Sequence, residues 1–139
     1  MSTPLVIDYY SDVLCVWAWI AQRRLEELHQ QWGDSVAVHH HYLNLFGDTS
    51  KRIGQQWADR GGFDGFGQHV RDAAAPYENA PVSKTIWQQV RPQTSANAHL
   101  LLKATELAYS REISSQLATA LRQAFFVSCS DIGQLPVLL

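Results

Sequence analysis

Leu5-Val6-Ile7-Asp8-Tyr9-Tyr10-Ser11-Asp12-Val13-Leu14-Cys15-Val16-Trp17-Ala18 passes from a β-branched and aromatic run into the start of an amphipathic one, and that change of period decides the fold. Leu5 to Tyr10 reads as a buried strand. From Trp17 the apolar positions Trp17, Ile20, Ala21, Leu25, Leu28 and Trp32 recur at helical spacing, with Arg23, Arg24, Glu26, Glu27, Gln30 and Gln31 mostly on the other side. Gly33 stands where a helix-ending glycine belongs, and Asp34-Ser35 turns the chain. Val36 to Leu43 then alternates as a second strand. Strand, helix and strand of these lengths predict a right-handed βαβ unit with parallel strands.

The strand-to-helix junction holds a thiol. Free backbone N–H groups at a helix start, together with the macrodipole, favour the thiolate of Cys15, which is then a nucleophile. Asp12, three residues upstream, opposes this by like charge, so the activation expected is modest. A CxxC pair would put a second cysteine at position 18, where Ala18 stands. Cys129 lies after an apolar helical run and reads as a half-buried small residue.

Composition narrows what such a thiol does. At 139 residues the chain is one domain or one domain with an inserted subdomain, and with 46% hydrophobic and 17% charged residues it can bury a core. A net charge of −2, with the eleven Lys and Arg scattered, offers no field for nucleic acid. No apolar run reaches the roughly 18 to 20 residues of a membrane span, and Met1-Ser2-Thr3-Pro4 leads into the strand without a basic start or cleavage site. The chain reads as cytoplasmic, with both cysteines reduced and no disulfide framework.

Beyond Asn44 no further strand pattern is legible. Helices are expected over Thr49–Arg60, from about Asp64 to Ala74, over Ser83–Val90, over Ser95–Tyr109 and over Glu112–Val127. Two parallel strands alone make a marginal sheet. Either a second copy of the chain completes it as a homodimer or the sequence is the front part of something longer, and the apolar stretch Leu135-Pro136-Val137-Leu138-Leu139 favours the second reading.

The stretch Ile7 to Ile20 resembles the start of the DsbA-like thioredoxin-fold family, especially its FrnE-type branch. The likeness continues at Asn97-Ala98-His99-Leu100, at Ala124-Phe125-Phe126-Val127 and at Asp131-Ile132. The fold implied is α/β: a thioredoxin-like βαβ half over residues 1–46, a large helical insert domain over 47–130, and the start of the return to the thioredoxin domain over 131–139. The family's C-terminal strands and last helix, with its cis-proline loop, are absent from this chain. The activity implied is thiol-disulfide oxidoreduction, with Cys15 as catalytic nucleophile and Asp12, Val16, Trp17 and Ala18 as its neighbours. Lacking a resolving thiol, Cys15 would act as a monothiol through a mixed disulfide with glutathione or a protein thiol. No cofactor is expected to be bound tightly, and glutathione is the small-molecule thiol implied. His99 and Asn97 match family positions and are the substrate-side candidates, although a hydrogen-bonded structural role is the simpler account of His99.

Two other functions remain open on the sequence. Kappa-class glutathione transferases and 2-hydroxychromene-2-carboxylate isomerases are similar in having a helical insert and one active residue, a serine, at this position. In the alternative they imply, Cys15 positions the glutathione sulfur. A non-catalytic binding or assembly module is the third. No metal site is expected, since His39, His40 and His41 point alternately to opposite faces of a strand and read as a solvated edge. Trp17 is expected to shield the sulfur while Trp19 packs. Gly61-Gly62-Phe63-Asp64-Gly65-Phe66-Gly67 follows no strand and has no lysine, so it reads as a loop with a helix start and not as a phosphate cradle.

Overall fold

The structure is a computed structural model describing residues 3–139. Met1 and Ser2, read above as the lead into the first strand, lie outside the described residues. The first strand, β1 (Leu5–Ser11), is followed by helix α1 (Val16–Trp32), a short turn at Gly33–Ser35 and strand β2 (Val36–Tyr42). The strands are parallel, in a register that pairs Leu5 with Val36, Tyr9 with His40 and Ser11 with Tyr42. Gly33 ends α1 with φ +49°, a conformation that L side chains rarely adopt. The predicted βαβ unit is therefore present, in a sheet of two strands among the described residues.

Register pairing puts Tyr9, Ser11, His40 and Tyr42 on one face of the sheet. The other carries Val6, Asp8, Tyr10, His39 and His41. Burial separates the two faces on β1, where Val6, Asp8 and Tyr10 are exposed while Ile7 and Tyr9 are partly covered and Ser11 is buried. Val36 and Val38 on the covered face line a groove of about 510 Å³ between the second half of α1, β2 and the start of the fourth helix.

The helical remainder comprises α2 (Gly62–Ala74), α3 (Ala96–Ala108), α4 (Arg111–Phe126) and the short α5 (Leu135–Leu138). The third and fourth pack along one another, and α4 starts with the Ser110 hydroxyl accepting from the Ile113 N–H at 3.1 Å. The core joins Val13, Leu14, Trp19 and Ile20 from the βαβ unit to Ile53, Val70, Ile86, Trp87, Leu102, Phe125 and Phe126. Trp87 is at its centre, with the rings of Phe46, Phe63, Phe66 and Phe125 between 5.0 and 6.2 Å away.

Three expected elements are corrected. Thr49–Arg60 is not one α-helix but a π-helical turn over Ser50–Gln55 and a 3-10 turn over Ala58–Arg60. The Gln56 N–H donates to the Lys51 carbonyl at 3.0 Å, one residue beyond α-helical spacing, and Thr49 spends its hydroxyl on the Pro92 carbonyl at 2.6 Å instead of capping. Ser83–Val90 is a series of turns. Trp87 has φ +62°, which breaks any helix there, and the Ser83 N–H donates to the Phe126 carbonyl at 2.7 Å. The glycine-rich segment is helical from Gly62 onward, earlier than expected, because its glycines permit close backbone packing.

Candidate active site

Cys15 is the N-cap residue of α1, with extended backbone (φ −79°, ψ 122°). No side chain caps this helix and no acidic residue occupies its first turn, so its positive end is left to the thiol. The residue is half-buried and packs against the core. Its own N–H donates to the Asp12 carbonyl at 3.0 Å, which closes the loop that presents the sulfur.

Asp12 organises that loop. It is fully buried, and its Oδ1 accepts from the Leu14 N–H at 2.8 Å. Its Oδ2 accepts from the Phe46 N–H at 2.9 Å and the Ser95 hydroxyl at 2.7 Å. Three donors on one carboxylate are what a buried charge requires. They tie the loop before Cys15 to the segment after β2 and to the start of α3.

His99 completes the arrangement from below. Its Nε2 accepts from the Val13 N–H at 3.0 Å, so the proton of the neutral ring is on Nδ1, which donates to Asn44 Oδ1 at 2.7 Å. The ring stacks on Tyr42 with centroids 4.9 Å apart. Its Nε2 also lies 3.6 Å from Asp12 Oδ1, a distance that would suit an ion pair. Burial nevertheless holds its pKa below the ordinary histidine value, with Asp12 opposing that shift and Arg122 adding to it. The neutral form agrees with the bond accepted from Val13. Only 7% exposed and with both nitrogens hydrogen-bonded, His99 fixes the loop. Asn97 likewise spends its amide on the Gly133 carbonyl, at 2.8 Å.

Around the sulfur, Val16 and Ala18 are buried in the core side of α1. Trp19 packs as expected, stacked 5.9 Å from Phe126 and donating from Nε1 to the Pro81 carbonyl at 3.0 Å. Trp17 does not pack in: 54% exposed, it borders the site as an open apolar surface. Cys129 has φ +54°, and its Sγ lies 3.7 Å from Thr85 Oγ1. Both cysteines are free.

The histidine run divides between the sheet faces. His41 bonds Asp8 at 2.8 Å on the exposed side. His40 is not on a solvated edge, since its Nδ1 is buried without a partner on the covered face, and burial, reinforced by Arg122, lowers its pKa. No group of three His, Cys, Asp or Glu side chains suited to a metal occurs among the described residues.

Sequence reasoning missed Arg122. Its guanidinium is 1% exposed and reaches from α4 to the covered face of the sheet, where Nη2 donates to Ser11 Oγ at 3.2 Å. The signal was legible: Ala118, Leu121, Arg122 and Phe125 follow one another at helical spacing, so a charged residue occupies an otherwise apolar stripe. Ser95 and Asn44, partners of Asp12 and His99, carried no comparable signal.

This architecture is a thioredoxin-like fold of the DsbA type, with one cysteine at the N-terminus of its first helix. Residues 6–71 match the family described as DSBA-like thioredoxin domain. The structure is similar to a candidate protein disulfide isomerase from Nitrosomonas europaea, with a TM-score of 0.73 and 17% identity over 97% of this chain and 61% of that one. It is also similar to the cytosolic disulfide reductase DsbM from Pseudomonas aeruginosa solved with GSH, with a TM-score of 0.69 and 19% identity over 96% and 61% of the respective chains. The same reductase solved without it gives a TM-score of 0.70 and 19% identity over 96% and 60%. This chain thus spans about three fifths of the length of the solved chains it matches. Comparison with curated proteins returns no match. Among the described residues no helix is long and apolar enough to cross a membrane.

Proposed function

We propose that Cys15 is the nucleophile of a monothiol thiol-disulfide oxidoreductase of the DsbA-like kind, working in the cytoplasm with glutathione or a protein thiol as co-substrate. The observation that carries this is the position of the sulfur at the uncapped N-terminus of α1, on a loop that Asp12 and His99 hold rigid. In the first step the Cys15 thiolate attacks a substrate disulfide, forming a mixed disulfide and releasing the other sulfur as a thiolate. With Ala18 in place of a second thiol, an external thiolate then attacks that mixed disulfide. It forms a new disulfide with the substrate sulfur and returns Cys15 to its thiolate. A cytosolic disulfide reductase of similar fold solved with GSH supports glutathione as the external thiol.

The test is exposure to oxidised glutathione followed by intact mass and peptide mapping, on the wild type and on Cys129→Ala. One glutathione on Cys15 in both proteins, removed by excess reduced glutathione, is the expected result. A Cys15 that stays unmodified while Cys129 reacts would overturn the assignment.

A further inference from the structure

Arg122 is 1% exposed, and among the described residues no carboxylate lies within ion-pair distance of it. One nitrogen is satisfied, Nη2 donating to Ser11 Oγ at 3.2 Å. Its Nε is buried without a hydrogen-bond partner, and so are Tyr42 Oη and His40 Nδ1. Buried polar atoms are nearly always paired. Among the described residues four side-chain atoms break that rule, the fourth being Trp87 Nε1, and three of them fall on this one patch of sheet.

Sheet geometry gathers the three. Ser11 pairs with Tyr42 and Tyr9 with His40 in the parallel register, and side chains 40 and 42 leave the same face. The rings of His40 and Tyr42 stack with centroids 6.2 Å apart, and Tyr42 stacks on His99 at 4.9 Å. Tied to Ser11, the guanidinium lies over the end of β1, directly across the ladder from Tyr42.

These atoms have in common that they can donate. Arg122 Nε–H can do nothing else. Tyr42 keeps its phenolic proton, because burial raises its pKa. The Ser11 hydroxyl accepts from Arg122 and has its own proton left to give. His40 is neutral, burial and Arg122 both lowering its pKa, and as the Nδ1–H tautomer it is a fourth donor. The acidic groups of the surroundings are committed elsewhere: Asp12 accepts from three donors, and Glu106 lies between Lys103 at 3.4 Å and Arg111 at 3.8 Å. A water molecule would serve some of these donors but leave the charge uncompensated, whereas a small anion answers both needs. Access comes from the groove of about 510 Å³, whose walls include His40 and, one and two turns before Arg122 on α4, Thr119 and Ser115.

We propose that the covered face of the sheet is a binding site for a small monovalent anion of the halide class, held by Arg122 Nε, Tyr42 Oη, His40 Nδ1 and the Ser11 hydroxyl. The ion neutralises the buried guanidinium and joins α4 to both strands. Because the guanidinium is enclosed, a ligand bound to it has to be small enough to be enclosed with it. The site does not depend on Cys15 being a nucleophile.

The experiment has two readouts. Crystals of the wild-type protein grown in bromide locate the ion by its anomalous scattering. Thermal melting is followed as chloride replaces gluconate at constant ionic strength, in wild type, Arg122→Met and Tyr42→Phe. The expected result is a bromide bonded to Arg122 Nε and Tyr42 Oη, with a wild-type melting temperature that rises by about 5 °C on going to chloride. Arg122→Met should lose that rise, and Tyr42→Phe should need about tenfold more chloride for the same rise. Should Arg122→Met fail to fold, Tyr42→Phe, which keeps the ring and removes one donor, decides in its place. A water without anomalous signal at this position overturns the proposal. So does bromide there without chloride-dependent melting, which is binding at crystal concentration only, and so does a chloride response that is the same in the variants as in wild type.

Discussion

Asp12 ties the loop before Cys15 to two distant parts of the chain, through Phe46 and Ser95. Asparagine keeps one oxygen and turns an amide toward backbone donors that need acceptors. Asp12→Asn is therefore expected to cost about 2–4 kcal/mol, from lost charge-assisted bonds and a stranded buried N–H. Urea denaturation measures this, and a loss below about 1 kcal/mol would show that the loop has another anchor. The histidines set the response to acid. Burial holds His99 and His40 below the ordinary histidine value, so near pH 6.5 and below the unfolded chain takes up protons that the native state refuses. The stability they contribute is complete above that pH and is lost as the pH falls through it. The urea midpoint should drop between pH 7.5 and pH 5.5, and His99→Gln should flatten that dependence; a midpoint that rises on acidification would contradict the assignment. At this scale Cys15 and its helix start were readable from the junction of two hydrophobic periods. The roles of Asp12, His99 and Arg122 were not, because their partners lie 34 to 111 positions away in the chain.

At the scale of elements, α2 shows how close backbone approach overrides composition. A Cβ on Gly65 would collide with the Arg60 carbonyl oxygen, and one on Gly67 with that of Ile86. In an open helix alanine is favoured over glycine by about 1 kcal/mol. Here the collision outweighs that gain, and each of Gly65→Ala and Gly67→Ala is expected to destabilise by about 1–3 kcal/mol. A stabilised variant in urea denaturation would mean that α2 can shift away from these carbonyls. The same physics explains which helices could be read from sequence. The long periodic stripes of α1, α3 and α4 were readable, because burying one face decides their structure. Segment 49–60 is helical but broken into a π and a 3-10 turn, and segment 83–90 is a series of turns instead of a helix, because tertiary bonds from Thr49 to Pro92 and from Ser83 to Phe126 compete with local ones.

The whole molecule places a small parallel sheet against a large helical body, and stability is shared unequally between them. On β1 one edge pairs with β2 and one face stays open, whereas Phe125 and Phe126 of α4 are completely buried. Native-state hydrogen exchange should therefore release the β1 amides before those in the middle of α4. Equal protection of both would mean that strand and helix open only together. The sequence by itself determined the βαβ unit, its parallel sense, the three long helices and the position of one thiol at a helix start. Those features follow from periodicity and local chain geometry, which act over a few residues. Tertiary structure alone decided that Asp12 and His99 anchor the thiol loop, that Trp87 adopts a left-handed backbone at the centre of an aromatic core, and that Arg122 is buried behind the site. Each of these depends on desolvation and on partners from distant segments, quantities that exist only once the chain has closed on itself.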